Sequence, residues 1–319
     1  MSYELAIFNG DRVMIPMTLD GITLEWTRQG APGKITFTVV KDEYLSFQEG
    51  AAVRLTVDDT IIFKGFVFEK SRDREQHIKV VAYDQLRYFK NKDTFKIKSQ
   101  KASEFLKFVT DAFLLKPGDI EDTGFVIENH LADNKTIFDA VQDALDLTLI
   151  NTGRMYVLFD DAGKICLRDC DKMQSDLLIC SKTAENFDYS SSIEEMYNVV
   201  KLIRKHKDKD TVGETFFNQD ENSVNRYGAL QFYDNNFSET SNPEMISKRI
   251  LELYNRVRRK LTIKGVFGDP AVRGGTSVFI DLALGDQNVK WRAIVDHVTH
   301  KFNNDHHTMD LQIMGKELR

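Results

Sequence analysis

Four histidines fall close together near the end of the chain, His297, His300, His306 and His307, and four imidazoles are enough to hold a zinc ion. Residues three apart on a strand face opposite sides, so His297 and His300 diverge, while His306-His307 follows the polar turn Asn303-Asn304-Asp305. All four are expected to be solvated or locally hydrogen-bonded, with no metal and no cofactor assigned. A metal-dependent cell-wall hydrolase built on them is kept as an alternative, which metal analysis of the purified chain separates.

Other motifs lead to the same place. Arg273-Gly274-Gly275-Thr276 has the glycines of a phosphate loop but lacks its Gly-Lys-Ser/Thr ending, and it precedes a strand where a phosphate site wants a helix N-terminus. The glycines read as a turn between strands. No serine stands in a Gly-x-Ser-x-Gly elbow; Ser190 to Ser192 lie in a polar connection. Cys166, Cys170 and Cys180 are three in number, without paired spacing, and are expected as free thiols, the first two small buried residues in or beside a strand. Asp58-Asp59, Asp160-Asp161 and Glu194-Glu195 read as turns or exposed connections. No catalytic residue is assigned.

What the chain does show is an echo. Val53, Leu55 and Val57 alternate with polar residues, Asp58-Asp59 turns, and Phe63, Gly65, Val67 and then Ile78, Val80, Ala82 alternate in two further runs. Val278, Ile280, Leu282, a turn at Gly285-Asp286, Trp291, Ala293, Val295 and then Met309, Leu311, Ile313 follow the same rhythm. The offset is 225 residues from Val53 to Val278, 228 from Val67 to Val295 and 231 from Ala82 to Ile313, so the drift falls in the turns and the pleat is kept. Period-two alternation is the mark of half-buried antiparallel strands.

At 319 residues the chain exceeds one hydrophobic core. It contains no apolar run of the roughly eighteen residues a membrane span needs, and no secretory leader pattern, so folding in the cytoplasm is expected. A formal charge of -6 argues against a chain built to grip nucleic acid. The basic runs Lys201, Arg204, Lys205, Lys207, Lys209 and Arg256, Arg258, Arg259, Lys260 read as solvated faces.

Residues 1–98 read as strands, with turns at Gly10-Asp11, Gly30 to Gly33 and Glu49-Gly50. A helix follows, with Ala102, Phe105, Leu106, Val109, Ala112 and Phe113 on one side, stopped by Lys116-Pro117-Gly118-Asp119. Asn134 is the expected cap of a second helix facing inward with Ile137, Phe138, Val141, Ala144 and Leu145, and Asp160 to Gly163 turns a hairpin. Beyond Val199 to Ile203 a polar stretch from Lys205 to Asn225 reads as a surface loop or long hairpin, Tyr227 to Phe232 as a strand, and Asn242-Pro243-Glu244 as the start of a helix. The expected fold is mainly β with an α+β insert: two similar antiparallel β-barrel domains separated by a small α+β domain and a helix. The expected limits are 1–98 for the first barrel, 99–182 for the insert and 183–319 for the second barrel, with its helix at about 243–259.

Phe63-Lys64-Gly65-Phe66-Val67 leading to Val81-Ala82-Tyr83-Asp84-Gln85-Leu86, with Asn198-Val199-Val200, Tyr227-Gly228-Ala229-Leu230-Gln231, Arg273-Gly274-Gly275 and His307-Thr308-Met309-Asp310-Leu311, resembles the XkdQ-like tail hub proteins of contractile phage tails and phage-tail-like particles. The resemblance covers most of the chain. It implies a non-enzymatic homotrimer in the baseplate of a virion or a tail-like bacteriocin, assembled in the host bacterial cytoplasm. Implied partners are the tail tube protein, the central spike, the tape-measure protein and other baseplate proteins, with no membrane and no specific nucleic acid, passage of DNA through the channel being left open. The chain ends at Arg319, soon after its last apparent strand, so any lytic domain is expected on a partner. A virion-borne carbohydrate- or receptor-binding β protein is the remaining alternative, for which Trp26 or Trp291 would have to be exposed; both are expected to be largely buried.

Overall fold

The computed structural model describes residues 2–204, 214–235, 242–283, 288–304 and 306–314. Lys205, Lys207 and Lys209, the Gly285-Asp286 turn and Asp305 lie outside them. The chain opens with β1 (Tyr3–Asn9), β2 (Arg12–Met14), β3 (Thr18–Thr27), β4 (Lys34–Val40), β5 (Ala52–Val57), β6 (Thr60–Arg72) and β7 (His77–Tyr83). Alternation sets their faces: β5 buries Val53, Leu55 and Val57 and leaves Ala52, Arg54 and Thr56 partly covered. Asp58 and Asp59 both have positive φ, 41° and 63°, as a two-residue hairpin loop needs if it is to follow the twist of its strands.

The insert comprises β8 (Lys92–Lys101), α1 (Ala102–Ala112), β9 (Pro117–Ile120), β10 (Val126–Thr136), α2 (Ile137–Thr152), β11 (Tyr156–Asp160) and β12 (Ile165–Asp169). The expected limit at residue 98 falls inside β8, which pairs with β10. Pro117 to Ile120, expected only to stop α1, forms a strand because β12 offers it a parallel partner. The cap of α2 is Thr136, which accepts from the Asp139 N–H at 3.1 Å; Asn134, expected there, lies in β10 with φ 49°. Its anticipated inner face is buried, and it packs with Phe105, Leu106 and Val109 of α1 and Phe95 and Ile97 of β8 into one core. Ala162 and Gly163 turn the β11–β12 hairpin with positive φ. Cys166 and Cys170 are buried and Cys180 partly so, all three as free thiols.

The chain then makes β13 (Gln174–Cys180), β14 (Asn186–Ser192), β15 (Val199–Ile203), β16 (Thr215–Gln219), α3 (Glu221–Tyr227), β17 (Gln231–Asp234), α4 (Pro243–Tyr254), β18 (Arg258–Phe267), β19 (Ser277–Ala283), β20 (Asn288–Asn303) and β21 (His306–Met314). The polar stretch expected as a loop or long hairpin holds β16, antiparallel to β15, and also α3, which occupies Tyr227, where a strand was expected; Asp220 caps it through the Ser223 N–H at 3.1 Å. Asn242 caps α4 as expected, accepting from the Glu244 and Met245 N–H groups. That helix stops at Tyr254, short of 259, because Arg258 to Lys260 are drawn into a ladder with β14. Ile246 and Ile250 of α4 pack on Val200 and Leu202 of a small sheet ordered β16-β15-β17.

A 13-stranded sheet gathers the remaining strands of both ends in the order β14-β18-β21-β20-β3-β4-β7-β6-β5-β1-β2, with β19 also on β20 and β13 on β19. Within it one pairing order occurs twice, β3-β4-β7-β6-β5-β1 and β14-β18-β21-β20-β19-β13. The correspondence reaches single hydrogen bonds. Gly50 N–H donates to Val67 O and Val67 N–H to Ala51 O at 2.8 and 2.9 Å; Gly275 N–H donates to Val295 O and Val295 N–H to Thr276 O, both at 2.8 Å. The β6–β7 ladder slips by one residue between Val67 and Glu69, and the β20–β21 ladder slips between Val295 and His297. The sets also differ: β1 joins β5 antiparallel whereas β13 joins β19 parallel, residues 193–257 intervene between β14 and β18, and the β18–β21 ladder slips between Ile263 and Val266 where β4–β7 runs without a break.

Where two closed barrels were expected, the described strands form one open sheet. The reason is β3, whose outer edge is taken by β20, so the two sets share a ladder and one core running from Ile7, Leu24, Phe37 and Val80 to Ile263, Val278 and Leu311. Each such side chain, fully buried, contributes about 1.5–3 kcal/mol.

Candidate functional site

The four histidines do not converge. His306 is exposed. His297 is half-buried between two hydroxyls, Thr27 Oγ1 at 2.9 Å from Nδ1 and Thr299 Oγ1 at 3.1 Å from Nε2. His300 and His307 are buried side by side, His307 in β21 and not in the expected turn. Val272 O can only accept, so His300 Nε2 carries a proton and donates to it at 2.8 Å; His300 Nδ1 then accepts from His307 Nε2–H at 2.9 Å. Burial, then the neighbouring His307, lowers the pKa of His300 to about 3, and burial lowers that of His307 to about 4. Both rings are neutral at pH 7 and lie against aromatic neighbours, His300 edge-on to Trp26 and His307 stacked on Phe302 at 4.2 Å. Among the described residues no group of three or more His, Cys, Asp or Glu side chains is arranged to hold a metal.

A second cluster, which the spacing of residues gave no sign of, sits where the insert meets the sheet. Arg273 is sandwiched between Trp26 and Phe159, its guanidinium 4.8 and 4.7 Å from the ring centres. It donates to Asp160 O at 2.9 Å and lies 3.7 Å from Asp161. Two buried carboxylates lie within reach of its charge. Asp84 accepts from the Gly33 and Leu86 N–H groups at 2.8 and 3.0 Å, and burial, reinforced by Asp160, pushes its pKa well up. Burial likewise raises Asp160 to about 6, against the Gly163 N–H at 2.6 Å. Gln85 ties the hairpin in, donating to Gly163 O and accepting from Lys116 N–H. Asp84-Gln85 and Arg273 were both prominent in the sequence as motif residues; only the fold shows that they share a site.

Gly274 explains why its motif needs a glycine. A Cβ there would stand 2.2 Å from Arg28 N and 2.5 Å from Thr27 C, backbone atoms held by Arg28 N–H on Asp296 O at 2.8 Å and by the Arg28–Asp296 ion pair at 2.9 Å. Gly274→Ala is therefore expected to destabilise the protein by about 1–3 kcal/mol, the usual cost of overpacking, read as a lowered urea midpoint. An unchanged midpoint would show that β3 retreats freely.

Next to Arg273 an open groove of about 560 Å³ is lined by Asp58, Asp161, Arg168, Lys172 and Ser175 among others. Ser175 donates to Asp269 at 3.2 Å, so it is not paired with an imidazole base. Trp26 is 6% exposed and Trp291 half-buried against the core. Among the described residues no helix is long and apolar enough to cross a membrane.

A mainly β chain with antiparallel sheets of this kind is a fold found among phage tail proteins. The 43 kDa tail protein of prophage MuSo2 from Shewanella oneidensis has it with a TM-score of 0.71 over 99% of both chains, at 11% identity, a likeness of fold alone. Residues 22–314 match the YqbQ-like family, and the chain belongs to it. Its relatives include the uncharacterized protein YqbQ of Bacillus subtilis (strain 168), 28% identical over 314 residues, covering 95% of this chain and 94% of that one. The phage-like element PBSX protein XkdQ of the same strain is 27% identical over 315 residues, covering 96% and 95%. The resemblance that the sequence motifs carried is thus a family relationship.

Proposed function

We propose that this chain is the structural hub of a phage-tail-like baseplate, three copies of which form a ring of six similar β modules between a sixfold tail tube and a threefold central spike. The pairing order that occurs twice carries this assignment. A threefold ring can meet a sixfold one contact for contact only if each chain presents the same surface twice. The two modules lie mostly within 1–98 and 183–319, with 99–182 as an attached α+β domain, except that β13 (Gln174–Cys180) joins the second set and β8 crosses the first limit. Exposed apolar side chains such as Val13, Ile15, Met17 and Tyr44 suit surfaces that are covered on assembly. The partners are copies of the chain itself, the tube, the spike, the tape-measure protein and other baseplate proteins. The role is architectural, with no reaction assigned, and the site of action is the particle. Its charge of -6 per copy favours passage of DNA or tape measure without adhesion.

The purified protein is expected to be trimeric by light scattering, alone or once its tube or spike partner is added, and to appear as a ring in electron micrographs. Monomers under every one of these conditions would overturn the proposal.

A further inference from the structure

The two strand sets are joined through β3 and β20, and the repeat gives each of these strands a counterpart elsewhere in the chain. β3 corresponds to β14: Ile22 and Leu24 face Phe37 and Ile35 of β4, as Phe187 and Tyr189 face Ile263 and Leu261 of β18. β20 corresponds to β6, with matching ladder slips after Val295 and Val67. Yet β3 and β20 pair with each other, while β14 ends the strand order and, among the described residues, has β18 as its one ladder partner. On β6, the edge that carries β5 up to Phe66 carries no strand beyond it among the described residues. The joint made once inside the chain has its second half-set of edges facing outward.

We infer that β14 of one copy adds to the outer end of β6 of the next copy, repeating between chains the β3–β20 joint within the chain. This rests on the trimeric ring proposed above and names its inter-chain contact. Within one chain β14 and β6 do not meet, because β18, β21, β20, β3, β4 and β7 stand between them in the strand order. A head-to-tail contact of this kind closes into a ring when the rotation per step allows. Alternating internal and external joints give six joints from three chains.

The register follows from the internal copy. Glu25 faces Thr299 and Trp26 faces Val298 across the β3–β20 ladder. Carried over, Ser190 faces Ser71 and Ser191 faces Lys70. Backbone polarity agrees: Arg28 N–H points at Asp296 O, so every second residue back from Arg28 bonds across the joint, and Glu25–Thr299 is a non-hydrogen-bonded pair. Ser190–Ser71 inherits that geometry, with Cα atoms about 4.5 Å apart. The residues also differ in the way the two joints require. Trp26, Val298 and Phe302 are buried in the permanent joint. Their counterparts are polar: Ser191, Lys70, whose ammonium now reaches Phe47 O at 2.8 Å, and Arg74 in the turn past the end of β6, side chains that keep an edge soluble until a partner arrives.

The test is a disulfide. The full-length double variant Ser71→Cys/Ser190→Cys, treated with a mild oxidant, is expected to give covalent dimers and trimers on non-reducing gels, ending at the trimer and reversed by dithiothreitol, because 4.5 Å lies within bridging range. Ser71→Cys/Ser192→Cys, displaced by two residues, is expected to cross-link at least tenfold more slowly, and each single variant not beyond the level set by the native cysteines. Failure of the first variant to cross-link, or equal rates for both registers, overturns the inference. If the protein is nevertheless trimeric by light scattering, the ring survives and only this contact falls. If wild type and variants are monomeric throughout, the ring falls with it.

Discussion

Arg273→Ala is expected to cost about 3–5 kcal/mol of stability, the range for removing one partner from a buried charge cluster. Two effects add. The side chain fills the space between Trp26 and Phe159, so truncation opens a cavity between two aromatic faces. It also leaves Asp84 and Asp160 buried without the cation that offsets them, and Asp160 O without its 2.9 Å donor. Arg273→Lys keeps the charge but not the flat guanidinium that stacks on both rings, and is expected to recover less than half of the loss. Replacing the whole group, as in Arg273→Met with Asp84→Asn and Asp160→Asn, is expected to be milder than Arg273→Ala alone, because no unpaired charge is left behind. Urea midpoints at pH 7.5 decide it. A loss below about 1 kcal/mol for Arg273→Ala would mean that the carboxyls are neutral and need no counter-charge.

The strands that were legible in the sequence are those whose partners lie next to them along the chain. β5, β6 and β7 and again β19, β20 and β21 are meanders in which alternation prevails, and most of the residues it picks out are buried, although Ile62 beside Phe63 and Ile294 between Ala293 and Val295 are buried as well. What alternation does not contain is the partner of an outer edge. The pairing of β3 with β20 links residues some 270 apart, and it turns two expected barrels into one sheet. Local propensity misled where pairing overrode it. Lys116-Pro117-Gly118-Asp119 has the composition of a stop but is recruited by β12, and Arg258 to Lys260 has the composition of a helix end but is claimed by β14. Asn134 is as good a cap as Thr136 by type; only Thr136 stands where the chain leaves its ladder with β8. The polar clusters were hidden for a related reason. Asp84, Asp160 and Arg273 are contributed by a strand end, a hairpin and a loop, and His300 and His307 meet because β20 and β21 turn back on each other.

That histidine pair gives the protein an acid response whose sign can be isolated. A group whose folded pKa is depressed stabilises the fold fully above its unfolded value and loses that contribution as pH falls toward the folded one. For His300 and His307 the window opens at about 6.5 and extends to about 3 and 4. At pH 5 the unfolded chain has bound about one proton per histidine that the folded chain has not, worth about 2 kcal/mol each at 1.36 kcal/mol per unit, or about 4 together. Asp160 and Asp84 run the other way: with raised folded pKa values they favour the fold at low pH and lose that as pH rises, in the case of Asp160 through about 6. The wild-type profile therefore sums opposing slopes, and the difference from His300→Leu/His307→Phe removes the carboxyl part. At pH 7.5 the variant is expected to be less stable, because Val272 O loses its 2.8 Å donor and the buried rings are repacked. By pH 5 the difference should have moved by about 4 kcal/mol in the variant's favour, seen as urea midpoints that converge or cross. Parallel profiles between pH 7.5 and 5 would mean that the pair takes up protons in the folded state, so that β20 and β21 open locally to admit water.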